Sequence, residues 1–109
     1  MGMKLLTKKI RDSIPAIGAT ENVVAYEKVA RCKFFDPCGS WTWYVVEGEQ
    51  YGDDFRFFGL VDGFEREWGY FSLLELESVK GPLGLGIERD IHFENVPMFD
   101  VFGMDAVNL

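Results

Sequence analysis

The chain has little of what usually announces chemistry. Among 109 residues there are two cysteines, one histidine and four prolines. No apolar run approaches the roughly 20 residues needed to cross a bilayer, so an integral membrane protein with helical spans is excluded. The N-terminus is too polar for a secretory signal, because Lys4, Lys8, Lys9 and Arg11 interrupt every apolar stretch. Cys32 and Cys38 are separated by five residues, which is neither a C-x-x-C redox pair nor half of a recognisable zinc site. A secreted domain this short would carry more cysteine pairs, so reduced thiols and a cytoplasmic setting are expected, with Cys32 in the core and Cys38 in a turn. No G-x-S-x-G is present, and Gly81-Pro82-Leu83-Gly84-Leu85-Gly86 lacks the Lys and Ser/Thr of a P-loop. Ser40, Ser72 and Cys38 have no evident base beside them. Neither a cofactor nor a nucleophilic mechanism is therefore expected.

What is present is apolar and acidic. Hydrophobic residues make up 48% of the chain and aromatics 16%, which excludes intrinsic disorder. A domain of this size hides roughly 65% of its unfolded surface, enough for a core without a metal or disulfides. The net charge of −7 is unevenly spread: residues 1–35 carry a net +4 and residues 36–109 a net −11. The acidic part repels phosphate, so direct nucleic-acid binding is not expected of it, whereas a basic protein partner is compatible with it. Lys8, Lys9 and Arg11 are read first as the wet face of a helix.

The pattern along the chain is strand after strand at hairpin spacing. Met1-Gly2-Met3 reads as a second start before a native Met3, so Met1 and Gly2 are treated as a scar without a structural role. Thr7 caps a short helix running to Ser13, and Pro15 stops it. Residues 28–35 alternate as a strand with Ala30, Cys32 and Phe34 on one face. Trp41–Val46, Phe55–Val61 and Trp68–Phe71 follow as strands, joined by the acidic glycine loop Glu47–Asp54 and the Asp62-Gly63 turn, with Gly69 read as a bulge. Ser72 and Glu75 form a capping box for a helix ending before Gly81-Pro82. Ile87–Phe93 alternates as a fifth strand, and residues 94–109 form a tail that packs by Met98, Phe99, Val101 and Phe102. The expectation is a single α+β domain over 1–109. Its curved, mainly antiparallel sheet has four to five strands, an N-terminal helix and a second short helix after strand four.

Two clusters are candidates for function. Glu47, Glu49, Asp53 and Asp54 crowd one predicted loop, where Gly48 and Gly52 would let the chain curl around a hard cation; a solvated hairpin tip explains the same residues. Glu88, Asp90 and His92 share one face of the predicted last strand, about 7 Å apart in succession, so acid–base chemistry or a metal site is the alternative there. The first reading of the same residues is a polar outer face on a half-buried strand, with Arg89 pairing with a neighbouring acid. The aromatic set on three successive strands poses a third question. A sheet with one or two helices cannot cover Trp41, Trp43, Tyr44, Phe55, Phe57, Phe58, Trp68, Tyr70 and Phe71 on both faces. Either the sheet curls around them or some rings form a platform for a partner or for single-stranded nucleic acid.

Five blocks carry a family resemblance: Met3-Lys4-Leu5-Leu6-Thr7, Trp41-Thr42-Trp43-Tyr44, Phe57-Phe58-Gly59-Leu60, Gly69-Tyr70-Phe71-Ser72-Leu73 followed by Glu75-Leu76, and Gly81-Pro82-Leu83-Gly84-Leu85 with Ile87-Glu88-Arg89-Asp90. Together, over Met3 to Phe93, they resemble a bacterial domain-of-unknown-function family (number 2958). The resemblance implies a small accessory protein of plasmids and conjugative elements, and it carries no catalytic residues. It points to a non-enzymatic protein-binding module, with an anti-defence inhibitor (anti-CRISPR or antirestriction) as the concrete form. The expected contacts to a nucleic-acid enzyme are Glu47, Glu49, Asp53, Asp54, Glu65 and Glu67.

Overall fold

A computed structural model describes residues 4–103; Met1-Gly2 and the last part of the expected tail lie outside the described residues. Thr7 accepts the Ile10 amide through its hydroxyl at 3.2 Å and starts helix α1, Lys8–Ser13. A turn segment and a 3-10 turn at Ala25–Glu27 lead to β1, Val29–Ala30, and β2, Cys32–Phe35. The long hairpin β3, Thr42–Tyr51, and β4, Asp54–Asp62, is followed by β5, Arg66–Ser72. Ser72 then caps α2, Leu73–Ser78, by accepting the Glu75 amide at 3.2 Å. The chain closes with β6, Glu88–Arg89, β7, Val96–Pro97, and α3, Met98–Phe102. The fold is α+β. Its main sheet has the order β5-β4-β3-β2-β6, all neighbours antiparallel and the sheet open, and β1 pairs with β7 in a second, two-stranded sheet.

Both faces of the main sheet carry a packed layer, although Tyr70 on the second face stays largely exposed. On the first face Cys32, Phe34, Val45, Phe55, Phe57 and Phe71 pack against Leu5, Leu6, Ile14, Leu76 and Ile87. On the second, Val46 and Leu60, flanked by Tyr44, Phe58 and Trp68, pack against Ala30, Met98 and Phe102. The second layer comes from the segment expected to be a tail. Met98, Val101 and Phe102 pack as expected, while Phe99 stays 45% exposed and meets the Tyr26 ring edge-on. Burying Met98 and Phe102 contributes on the order of 1.5–3 kcal/mol each.

Several elements differ from the sequence expectation. The strand over 28–35 is broken at Arg31, and Ala30 belongs to the core opposite that of Cys32 and Phe34. Arg31 donates its amide to Val45 O at 2.7 Å, a crossing point at which the chain passes from one sheet to the other. The bulge lies in β3 rather than at Gly69, whose pairing with Gly59 is regular. The register shifts between Val45, opposite Gly59, and Glu47, opposite Phe58, leaving Val46 as the extra residue. Without it, alternation would place Glu47 beside Val45 in the first core; with it, Glu47 shares the second face with Phe58. Two glycines pay for this rearrangement of backbone: a Cβ on Gly59 would stand 1.8 Å from Tyr44 O, and one on Gly48 would stand 2.6 Å from the Phe55 ring.

Candidate functional site

The acidic loop is not a loop. β3 extends to Tyr51 and pairs with Asp54, so the turn is only Gly52-Asp53, with Gly52 at the positive φ of +61° that a tight hairpin needs. Glu47 is therefore a strand residue, and it is 4% exposed. One carboxylate oxygen accepts the Gly18 amide at 2.8 Å; the other accepts the Thr20 amide at 2.8 Å and the Thr20 hydroxyl. Two residues on, Glu49 accepts the Ile17 amide at 3.2 Å. Lys28 closes the arrangement by donating to Thr20 Oγ1 at 2.9 Å. Burial pushes the Glu47 carboxyl up, but its hydrogen bonds and the Lys28 charge outweigh burial and hold it below the usual value of 4.5. Glu47 and Glu49 are thus a clasp on the turn at residues 17–20, which runs beside β3 where β2 has ended; Gly48 N donates to Pro15 O at 2.8 Å in the same place.

Asp54 is used internally as well. It accepts the Phe55 amide at 2.7 Å and, across the hairpin, the Leu74 amide at 3.0 Å in the first turn of α2. Desolvation opposes its ionisation, and the hydrogen bonds from Leu74, Ser72 and Phe55 outweigh it, so its carboxyl lies below the ordinary value. Of the six expected contacts only Asp53, Glu65 and Glu67 are exposed and free of such duties, and they do not form one patch. Asp53 adjoins the start of β4 and Glu65 follows its end; eight residue steps of strand separate those ends by roughly 26 Å. Glu47 is corrected from a surface contact to a buried structural carboxylate.

Glu88, Asp90 and His92 are brought to one place, but not as three side chains in a row. β6 stops at Arg89 because the chain turns: Asp90 accepts the His92 amide at 2.9 Å through its carboxylate, and Phe93 N bonds Asp90 O at 3.2 Å. Asp90 also lies 3.9 Å from Lys33 Nζ. All three residues line an open cleft of about 620 Å³ together with Lys33, Phe35 and Trp41. Among the described residues no group of three or more His, Cys, Asp or Glu side chains is arranged to hold a metal. Arg89 donates to Lys4 O and to Leu5 O, the latter at 3.0 Å, and so ties the N-terminal segment to the sheet edge.

The cleft opens beside an aromatic cluster of which the sequence pattern marks Trp41 and Trp43 but not Phe64. Trp41 lines it, and Phe64, at the tip of the β4–β5 turn, packs edge-on against Trp41 with ring centres 5.4 Å apart. Trp43 continues the row at 6.1 Å from Trp41. Phe64 is 94% exposed. Its neighbour Gly63 has no room for a side chain, since a Cβ there would stand 2.6 Å from the Trp41 ring. An apolar residue after a D-G turn was the available signal. At the far end of the hairpin, Arg56 lies between Tyr51 and Tyr70, 5.2 and 5.1 Å from the ring centres, a cation–π stack that alternation alone does not reveal.

The remaining expectations concern single groups. Lys8 pairs with Asp12 at 3.3 Å, and Lys8, Lys9 and Arg11 are all exposed on α1, as a wet helix face. Both cysteines are free: Cys38 is exposed, and burial pushes the Cys32 thiol up to about 12, which removes it from thiolate chemistry. No helix among the described residues is long and apolar enough to cross a membrane.

Comparison with known proteins adds one finding. Residues 5–107 match the family described as "Protein of unknown function (DUF2958)", and the chain belongs to that family. No curated protein and no solved structure matches it.

Proposed function

We propose that this member of the family is a small, non-enzymatic protein-binding module that docks through the end of the sheet where Trp41, Phe64 and the cleft meet. The observation that carries the reading is Phe64. Leaving a phenylalanine in water forgoes about 1.5–3 kcal/mol of burial, and a hairpin tip has no internal need of one. A rigid aromatic ring, backed by a second ring and rimmed by charge, is the usual form of an anchor in a protein interface. The rim is acidic. Asp62 is balanced by Arg66 at 3.4 Å and Asp90 by Lys33, whereas Glu65 and Glu67 are exposed and Glu88 faces the cleft. Complementarity therefore favours a partner with a basic surface, and the same charge disfavours nucleic acid itself.

The narrower form of this proposal is an accessory protein of mobile elements, acting in the cytoplasm as an anti-defence inhibitor that occupies the phosphate-binding groove of a host nucleic-acid enzyme. Surface acids and an aromatic anchor at one end of the sheet support it; Glu65 and Glu67 remain its contacts. The test is affinity capture from host lysate at low and moderate salt, run in parallel with the triple variant Phe64→Ala, Glu65→Lys, Glu67→Lys. A salt-sensitive partner retained by the wild type and lost by the variant is the expected result. Equal retention by both proteins refutes this docking surface.

A further inference from the structure

The two edges of the main sheet are unlike each other. β6 is a two-residue edge and too short to template anything. β5 pairs with β4 through all seven of its residues in unbroken register, and no strand lies on its other side among the described residues. It carries few of the devices that usually blunt an edge: it has no proline and no bulge, and its only charges are Arg66 and Glu67 at the start. Amide and carbonyl groups of alternate residues on such a strand point outward without a strand to meet them.

We infer that the β5 edge pairs with the β5 edge of a second copy of this chain, antiparallel and centred on Gly69, joining two main sheets into one. A twofold contact must be complementary to itself, and this register is. It sets Trp68 of each copy opposite Tyr70 of the other, on the face where both rings already contact Phe58. Tyr70 is 59% exposed in the single chain and gains an aromatic neighbour by the pairing. Arg66, paired with Asp62 of its own chain at 3.4 Å, comes opposite the uncharged Ser72, so no like charges meet at either end of the contact. Gly69 faces Gly69, and a Cβ at that position meets nothing within 4 Å, so the two backbones approach unobstructed. The strand itself is neutral although each molecule carries −7, and salt screens the repulsion between the two molecules over about 8 Å. The pairing thus strengthens, rather than weakens, as salt is raised. This inference goes beyond the docking of a basic partner and does not depend on it: Phe64 and the cleft take no part in it, and Glu67 at the start of β5 is the residue the two surfaces share.

The test is sedimentation of the unmodified chain from micromolar to submillimolar concentration at low and high salt, together with cysteine pairing. In a Cys38→Ser background, Gly69→Cys places two thiols on directly opposite residues, within the Cα separation of about 4.4–6.8 Å that a disulfide tolerates. Glu67→Cys places them four residues out of step, roughly 13 Å apart. A concentration-dependent dimer that is favoured by salt, with rapid oxidation to a covalent dimer at position 69 and little at position 67, is expected. A chain that stays monomeric throughout, or that crosslinks equally at both positions, overturns the inference. So does a chain that stays monomeric but binds a basic extended peptide along β5.

Discussion

The β3–β4 hairpin has an acidic character at both ends, and the two ends use it in opposite ways. Near the Gly52-Asp53 turn, Glu47, Glu49 and Asp54 are turned inward to backbone amides of residues 17–20, Phe55 and Leu74. Near the Asp62-Gly63 turn, Glu65 and Glu67 face solvent around Phe64. Both ends carry several acids; what differs is whether backbone amides lie within reach of them. At the first end β2 has stopped, so the edge of β3 is left for the 15–20 segment, and that segment arrives with amides that need acceptors. At the second end, the two glutamates leave the acid there available for a partner.

The sharpest way to break this contrast is to remove the clasp. Glu47→Ala strands the amides of Gly18 and Thr20 together with the Thr20 hydroxyl, and is expected to cost about 3 kcal/mol, read as a lowered midpoint in urea unfolding. Glu47→Gln sharpens the origin of that loss through pH. The folded pKa lies below the unfolded one, so ionised Glu47 adds stability above the usual 4.5, and that contribution is lost as pH falls through the folded value. Wild type and Glu47→Gln should therefore differ in melting temperature at neutral pH and converge in acid. A gap that stays constant down to pH 3 would contradict the electrostatic origin. Asp54→Ala removes an acceptor at the start of α2 and should cost about 1 kcal/mol, with hydrogen exchange faster at Leu74. At the other end, the Glu65→Lys and Glu67→Lys pair should change stability by less than about 0.5 kcal/mol while abolishing capture of a basic partner.

The short elements with local causes were legible from residue types. Thr7 and Ser72 cap their helices because a hydroxyl three residues before an amide is a local geometry, and Asp62-Gly63 turns for the same kind of reason. Alternation located β4 and β5, and it found the buried trio Ala30, Cys32 and Phe34, although not that Ala30 belongs to a different core. It failed where one inserted residue or one turn resets the period. Val46 reverses the facing of Glu47, and the Asp90 turn ends the alternation that would have lined up Glu88, Asp90 and His92. The site suffered most, because a carboxylate expected at a surface loop and one buried in a strand have identical sequence signatures when the acceptor–donor match comes from about 30 residues away.

Composition and contacts within a few residues set an acidic α+β fold with an antiparallel meander, two capped helices and two unpaired cysteines. Tertiary structure alone decided which face of the sheet each side chain entered, that the C-terminal segment closes the second face, that Glu47 is internal, and that Phe64 is left outside. Those outcomes depend on a bulge in one strand and on what a distant segment brings to its edge, and neither quantity is encoded locally.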